Sequence, residues 1–467
     1  MSIPQALTPP IEDLRQFYVG KDISDVPKPA AILDVAIARR HCGSMLDAVR
    51  ALGVGFRAHV KTHKTTQLAR LQAGESPSAP AHFIASTLAE IEHLAPTLSG
   101  YIAAGRPTTI LYGIPLAPSQ AARLAALARQ LGRASSVLVI VDHPSQLDAL
   151  AHFSDIAGFP AGVYLKVDTG YHRAGVPASA LNRGGMLERV VELERAGRAE
   201  LVGLYSHSSL SYADSTAEAA MRSLAAEIEG CLEALKAHES VFAGRGDREI
   251  TVSVGASPQV ASIENFARRE GALGTEVLRA ALREVSTGLP GGLRTRLELH
   301  AGVYSVMDMQ QLATNARTGL GGPEEEVALS VVAEVCSVYN GGEREKPEAL
   351  VAVGTLGLGR EPCPSYKGWG VVSRSAYASP AAEEPSRRLI VERISQEHAI
   401  VSWEDWAGEG GQESLLPIPL VIGQTVRIFP NHACVTGALY SWYLVVDSDD
   451  RLAGTKITDV WVRASGW

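Results

Sequence analysis

The chain is poor in cysteine. Five residues in 467 (Cys42, Cys231, Cys336, Cys363 and Cys434) stand far apart. Neither their odd number nor their spacing makes a disulfide framework, which favours a reducing compartment. A leader is missing too: Met1-Ser2-Ile3-Pro4-Gln5 lacks a basic stretch followed by an apolar one, so no secretory signal is expected. No apolar run is long enough to cross a bilayer. None of the five asparagines begins an Asn-x-Ser/Thr acceptor, as suits a cytosolic protein. Excess positive charge is also lacking. A net charge of -8 argues against general binding to nucleic acid or to an anionic membrane. The expectation is a cytoplasmic protein whose partner is a small molecule.

Core-forming material is plentiful, with 46% hydrophobic and 20% charged residues. A chain of 467 residues is long enough for two domains. Short apolar strands alternate with amphipathic segments through the first two thirds. Strands are predicted at 30–34, 55–61, 82–86, 136–142, 162–168, 201–207, 251–255 and 297–300. Helices are predicted at 35–52, 65–73, 88–94, 118–131, 144–151, 186–196 and 215–238, with apolar residues three and four apart, as in Leu224, Ile228, Leu232 and Leu235. This alternation predicts a parallel sheet, and eight such units fit a (β/α)8 TIM-type barrel of α/β class better than an open doubly wound sheet. Beyond about residue 320 the Val/Ile-rich segments 325–337, 349–355, 389–395, 398–403 and 425–430 are joined by Gly, Pro and acidic loops. That part reads as an all-β domain. The expected division is an N-terminal segment 1–28 packing on the β domain, a barrel over 29–310, and a β domain over 311–467. The glycine-rich run 354–359 lacks a βαβ frame and reads as turn structure. Residues 379–388 and 408–414 read as exposed polar loops.

Polar clusters fall where the predicted strands end. Arg57-Ala58-His59-Val60-Lys61-Thr62-His63-Lys64-Thr65 gathers two lysines, two histidines and an arginine after an apolar stretch. Lysines are rarely gathered at a buried strand end, and one partly desolvated there loses its proton readily and can form a Schiff base. Val167–Gly175, Tyr205–Ser208, Gly255–Pro258 and Glu298–Tyr304 close other strands. In a parallel barrel these ends share one face. Gly255, Ala256 and Ser257 can expose backbone N–H groups and a hydroxyl to a phosphate, or form a simple turn. His432 and Cys434, two apart on a segment expected to be extended, would point the same way and could share an ion such as zinc. The plainer alternative is a buried thiol and a hydrogen-bonded imidazole.

Taken together, Arg57–Thr65, Val167–Gly175, Gly203–His207, Ser253–Pro258, Glu298–Gly302, Ser395–His398 and Pro430–Cys434 resemble, in order, the eukaryotic, especially fungal, D-serine dehydratases. These share the pyridoxal phosphate (PLP) barrel of alanine racemase and D-threonine aldolase, PLP fold type III. The resemblance implies that Lys61 carries PLP, with His59, Arg173 and Tyr205 near the cofactor and Gly255, Ala256 and Ser257 around its phosphate. It makes His432 and Cys434 zinc ligands. It implies a D-serine ammonia-lyase giving pyruvate and ammonia, acting as a homodimer in which the β domain completes the partner's site. Two segments depart from the family pattern, Ser208–Tyr212 and Val303–Val306, and both concern the pocket wall. An aldolase-type cleavage of a D-β-hydroxy amino acid, or a non-catalytic PLP-binding protein, are the alternatives.

Overall fold

A computed structural model describes residues 8–242, 249–268, 273–289, 292–377, 387–404, 416–450 and 454–467. The chain divides into two compact units. One comprises Met1–His41, Ser305–Ala313 and Gly319–Arg463, and the other comprises Cys42–Tyr304, Thr314–Thr318 and Ala464–Trp467. The expected boundary at residue 29 therefore moves. Strand β1 (Ala30–Asp34) lies in the first unit, antiparallel to one neighbour and parallel to another. Its run Ala-Ala-Ile-Leu-Asp is almost wholly buried. A central strand of a mixed sheet therefore reads like a barrel strand, and composition could not separate them.

The barrel unit closes from eight parallel strands: β2 (Gly55–His59), β3 (Ala81–Ala85), β4 (Thr108–Pro115), β5 (Val137–Val141), β6 (Ala161–Lys166), β7 (Ala199–Tyr205), β8 (Glu249–Val254) and β9 (Arg294–Ala301). Continuous apolar runs such as Val137–Val141 suit strands covered on both faces. Strand β4 is absent from the sequence reading, because Thr108, Gly113 and Pro115 blur its pattern. Gly113 has a packing reason: a Cβ there would stand 2.6 Å from Ile84 Cγ2 and 3.2 Å from the Ala85 carbonyl oxygen. Helices follow the strands. One of them, Leu88–Ala103, runs on through Pro96, beyond its expected end at Leu94. The apolar face continues with Leu94, Ala95 and Leu98, all buried, so burial overrides the proline signal. Together the helices and strands enclose the main core, which includes Leu124, Val139, Phe153, Leu224, Ile228 and Val252.

The other unit is built on a nine-stranded sheet. Besides β1 it contains β10 (Leu329–Tyr339), β11 (Glu348–Val351), β12 (Gly370–Val372), β13 (Leu389–Ile394), β14 (Ala399–Trp403), β15 (Thr425–Pro430), β16 (Trp442–Val446) and β17 (Asp459–Val462). Their order is β11-β14-β13-β12-β15-β10-β1-β16-β17. The unit is not purely β. Helices Ile11–Tyr18, Met309–Ala313, Pro323–Glu326, Thr355–Leu358 and Ala433–Ala438 are too short to show a clear helical period. The first of them packs on β17: Leu14 joins Leu444 and Val460, and Arg15 Nε donates to Asp459 Oδ1 at 2.7 Å. The run 354–359 holds the helical turn Thr355–Leu358. Residues 379–386 and 408–414, expected to be loops, lie outside the described residues. None of the five cysteines forms a disulfide, and no helix among the described residues is long and apolar enough to cross a membrane.

Candidate active site

The basic run divides into side chains committed to structure and side chains that face a cavity. Arg57 is 1% exposed inside the barrel. Its Nε donates to Glu298 Oε1 at 2.7 Å and its Nη2 to Oε2 at 3.2 Å. Glu298 also meets His82 Nδ1 and accepts from the Ser253 hydroxyl, each at 3.0 Å. Burial opposes ionisation of Glu298, but Arg57 and His82 outweigh it and hold its carboxyl well below the usual range. Glu298 was expected with the catalytic strand ends. It instead sits within β9 and ties the barrel interior together. His63 is taken by Thr65 Oγ1 at 3.1 Å and Gln72 Oε1 at 3.0 Å. Lys64 turns into the left-handed region at φ 55°, and its Nζ lies 3.0 Å from the buried Glu90 carboxylate.

That sorting leaves His59 and Lys61. Both line a cavity of about 290 Å³ together with Lys166, Arg173, Tyr205 and His207. No ion pair or side-chain hydrogen bond holds Lys61 Nζ among the described residues. The site is therefore assembled from the ends of β2, β6 and β7 and the loops after them, as a barrel of this kind requires. Lys166, the last residue of β6, was not singled out by the sequence reading. It lies among apolar residues one position before Val167–Gly175, and only burial marks it.

His59 and His207 line the cavity, His300 stacks on its Tyr205 wall, and hydrogen bonds define the protons of His207 and His300. His207 Nδ1 lies 2.6 Å from the Gly255 carbonyl, so it donates, while Nε2 accepts from the Ser209 hydroxyl at 3.2 Å. Ser253 gives its one proton to Glu298, so His300 Nδ1 donates to Ser253 at 3.2 Å. That leaves His300 Nε2 as a bare acceptor, buried and without a partner among the described residues. His300 stacks on Tyr205 with ring centres 4.5 Å apart and planes 6° apart. Burial, then neighbouring cations including Lys61, holds the pKa values of His59 and His207 well below the ordinary range. Burial also lowers His300 to about 3, against the pull of Glu298.

The segment Gly255–Ser257 turns beside these rings. Gly255 has φ 145°, and a Cβ there would stand 2.4 Å from the His300 carbonyl oxygen and 2.6 Å from Val260 Cγ2. Only glycine permits this approach. Ala256 and Ser257 are buried, and Ser257 Oγ accepts from the Gly302 N–H at 3.2 Å. Arg173 follows a tight turn in which Asp168 accepts from the Gly170 and His172 N–H groups, each at 3.0 Å.

In the sheet unit, His432 and Cys434 are not on an extended segment. His432 caps the short helix Ala433–Ala438, which contains Cys434. Helical winding, not strand alternation, sets their relation. Asp308 holds this turn: its Oδ2 accepts from the Ala433 N–H at 2.9 Å. His432 Nδ1 is buried without a hydrogen-bond partner among the described residues, 3.8 Å from the Glu361 carboxylate. Burial disfavours its cation, but Cys434, Asp308 and Glu361 outweigh that and raise its pKa to about 9. No three His, Cys, Asp or Glu side chains among the described residues converge into a metal cluster. Asp308 and Glu361 were not predicted, since nothing in sequence links them to position 432.

Residues 39–272 match the alanine racemase N-terminal domain family, and residues 328–446 match a serine dehydratase domain family. Fold and matches define the class, an alanine racemase-type barrel enzyme. A D-serine dehydratase of Schizosaccharomyces pombe is 32% identical over 98% of this chain and 96% of its own length. The D-threo-3-hydroxyaspartate dehydratase of a Delftia species is 28% identical over 94% of this chain and 97% of its own. The solved structure of that Delftia protein superposes with a TM-score of 0.68 at 27% identity, covering 96% of this chain and all of that one. The chain belongs to the fungal-type D-serine dehydratase family within the alanine racemase-like superfamily.

This fold implies PLP, and the residues present fit it. An unpaired lysine stands just beyond the end of β2, stacked aromatic planes line the same site, and His300 Nε2 is buried without a partner among the described residues. The basic side chains of Lys166 and Arg173 in the cavity wall suit an anionic cofactor.

Proposed function

We propose that this protein is a PLP- and zinc-dependent lyase that eliminates the β-hydroxyl of D-serine, yielding pyruvate and ammonia. One observation carries the reading. Of the two lysines in the basic run, Lys64 is committed to Glu90, whereas Lys61 stands free in the cavity. The names of the relatives support the substrate: D-serine dehydratase in Schizosaccharomyces pombe and Saccharomyces cerevisiae, and D-threo-3-hydroxyaspartate dehydratase in Delftia. Each is a dehydratase of a D-amino acid.

PLP, when bound to Lys61, supplies an electron sink that makes the substrate α-proton acidic. The remaining roles belong to the chain. The Lys61 amine takes the α-proton, and the backbone N–H of Lys61 rests against His59 Nδ1 at 3.4 Å. Arg173 offers a guanidinium to an anionic group in the cavity. Tyr205 and His300 form a flat wall for an aromatic ring. Gly255, Ala256 and Ser257 place small residues where a phosphate can approach backbone. Neutral His59, His207 and His300 add no positive charge to the site.

His432 and Cys434 would hold the zinc ion, which supplies Lewis acidity toward a poor leaving group such as hydroxide. An imidazole nitrogen without a partner beside a thiol is a suitable donor pair, and it leaves positions for other ligands. Solved variants of the Delftia enzyme change a histidine and a cysteine two positions apart, and the cysteine variant is described as metal-free. The reading extends to a homodimer with shared sites. Mixing Lys61→Ala and His432→Ala subunits should then restore part of the activity that each lacks.

The test is direct. Purified protein loaded with PLP and zinc is given D-serine or D-threonine, and pyruvate and glycine are assayed. Pyruvate from D-serine is expected. Glycine from D-threonine without pyruvate from D-serine would replace the reading with an aldolase. Bound PLP with no turnover of either would make it a binding protein.

A further inference from the structure

A second cavity opens at the other end of the barrel. Gly55 begins β2, Pro80 precedes β3 and Thr295 stands near the start of β9, and all of them border it. Lys61 follows the opposite end of β2. This cavity measures about 570 Å³, against about 290 Å³ around Lys61. Pockets that take small molecules span roughly 300–1,000 Å³. Leu46 and Val49 of the helix Val35–Leu52, with Phe56, Val285 and Leu297, supply an apolar wall. That end of a parallel barrel ordinarily serves stability, and polar groups buried there are expected to pair with one another. His82, Arg296 and Gln72 do not complete that pairing.

His82 borders the cavity, and its Nδ1 meets Glu298 Oε2 at 3.0 Å. Against burial, Arg57 and His82 hold Glu298 ionised, and an ionised carboxylate only accepts. His82 Nδ1 is therefore the donor. Burial keeps the ring neutral, so Nε2 carries a lone pair, and no donor reaches it among the described residues. Arg296 also borders the cavity. Its Nε donates to the Thr251 hydroxyl at 2.9 Å and lies 3.5 Å from the Glu249 carboxylate, while neither Nη makes a hydrogen bond among the described residues. Gln72 is wholly buried at the cavity wall. Its Oε1 is taken by His63, and its Nε2 has no hydrogen-bond partner among the described residues, with Tyr304 as its polar neighbour. Arg50, at the rim, is taken by Asp47 at 2.7 Å.

An occupant matched to these groups has an apolar body, an acceptor for Arg296 and Gln72, and one donor for His82 Nε2. The charge of that donor follows from its surroundings. Burial, Arg57 and Arg296 disfavour a cation at His82, and Glu298, which favours one, is already paired with Arg57 at 2.7 Å. The donor is therefore a hydroxyl and not an ammonium. We propose that this cavity is a second binding site, and that it takes a hydroxy acid with an apolar body. The carboxylate accepts from the Nη groups of Arg296, the hydroxyl donates to His82 Nε2, and the body lies against Leu46, Phe56 and Leu297. The proposal does not rest on the PLP reading of the Lys61 cavity.

The test uses full-length PLP-loaded protein and the probes phenyllactate and phenylpropionate, which differ only in the hydroxyl. Neither has an amine, so neither forms a Schiff base with PLP. Binding is followed by ligand-observed NMR titration. Phenyllactate should bind with a dissociation constant of about 1 mM or below, and phenylpropionate about tenfold more weakly. Arg296→Gln should weaken both by about tenfold. Leu46→Trp, which fills the cavity from a half-buried position, should abolish binding. In the wild type, the nitrogen resonance of His82 Nε2 should move with phenyllactate and stay with phenylpropionate. That measurement needs no variant, so a variant that fails to fold leaves the proposal open to refutation. No binding of phenyllactate by the wild type, equal binding of the two probes, or a His82 resonance that stays still would overturn it. So would affinities unchanged in both Arg296→Gln and Leu46→Trp, which would place the probe elsewhere, as at Arg173 in the Lys61 cavity. Protein without PLP serves equally, so failure of the PLP reading leaves this test intact.

Discussion

The barrel cavity and the His432 turn treat the same side chain in opposite ways. Around the cavity, burial and cationic neighbours such as Lys61 keep His59, His207 and His300 neutral. At the turn, Cys434, Asp308 and Glu361 raise the pKa of His432 to about 9 despite burial. The difference teaches that burial alone does not fix an imidazole's state; the sign of its neighbours does. A cavity lined by Lys61, Lys166 and Arg173 suits anions. A turn with a thiol and two carboxylates near an imidazole suits a cation.

The largest expected effect breaks the cavity side of this contrast. Lys61→Ala should abolish the visible absorbance of bound PLP and lower pyruvate formation by roughly 10³-fold or more. Lys64→Met should keep the absorbance and lose only stability. If the two outcomes are exchanged, the sorting of the basic run is wrong. Next in size is Glu298→Gln, which leaves Arg57 buried without its partner charge. It should cost about 3–5 kcal/mol in chemical unfolding of the barrel unit while leaving the metal content unchanged.

The turn is tested separately. His432→Ala, or prolonged chelation, should remove the metal seen by elemental analysis and suppress D-serine turnover, with the PLP absorbance retained. Loss of PLP as well would show that the two centres are not independent. A finer probe is Asp308→Asn, which weakens the contact to the Ala433 N–H and removes a charge that acts on His432 while leaving both donors in place. About a tenfold loss of metal affinity is expected, measured by competition with a chelating dye.

The smallest effect concerns acid. His300 has its folded pKa depressed to about 3, below the ordinary value near 6.5. The unfolded chain therefore binds its proton first. Stability from this residue is fully present above about pH 6.5 and is lost as pH falls toward 3. Unfolding titrations should show His300→Gln with a shallower acid slope, by about one proton at most. An unchanged slope would mean that His300 is not held neutral by the fold.

The basic run shows how far local pattern reaches. It marked a strand end with reactive chemistry, and the family resemblance chose Lys61 over Lys64. The physical distinction lay in Glu90, a buried partner 26 residues away in sequence that local pattern does not connect to Lys64. Thr108–Pro115 was missed because glycine and proline hide a strand whose geometry is set by its neighbours. Ala30–Asp34 was recognised as a strand and assigned to the wrong sheet, since an apolar pentapeptide carries no information about its partners.

By itself the sequence determined the alternation of strands and helices, the change of texture beyond about residue 320, and the candidate chemistry of Lys61 and His432-x-Cys434. These depend on neighbours in the chain, where periodicity and residue type act directly. Tertiary structure alone decided the sheet to which β1 belongs, the burial of Lys166 at the cavity, the capture of Arg57 by Glu298, and the protonation of each imidazole. Those depend on which charges and apolar groups meet across long loops. Coulomb and desolvation energies are set by distances in space, not by separation along the chain.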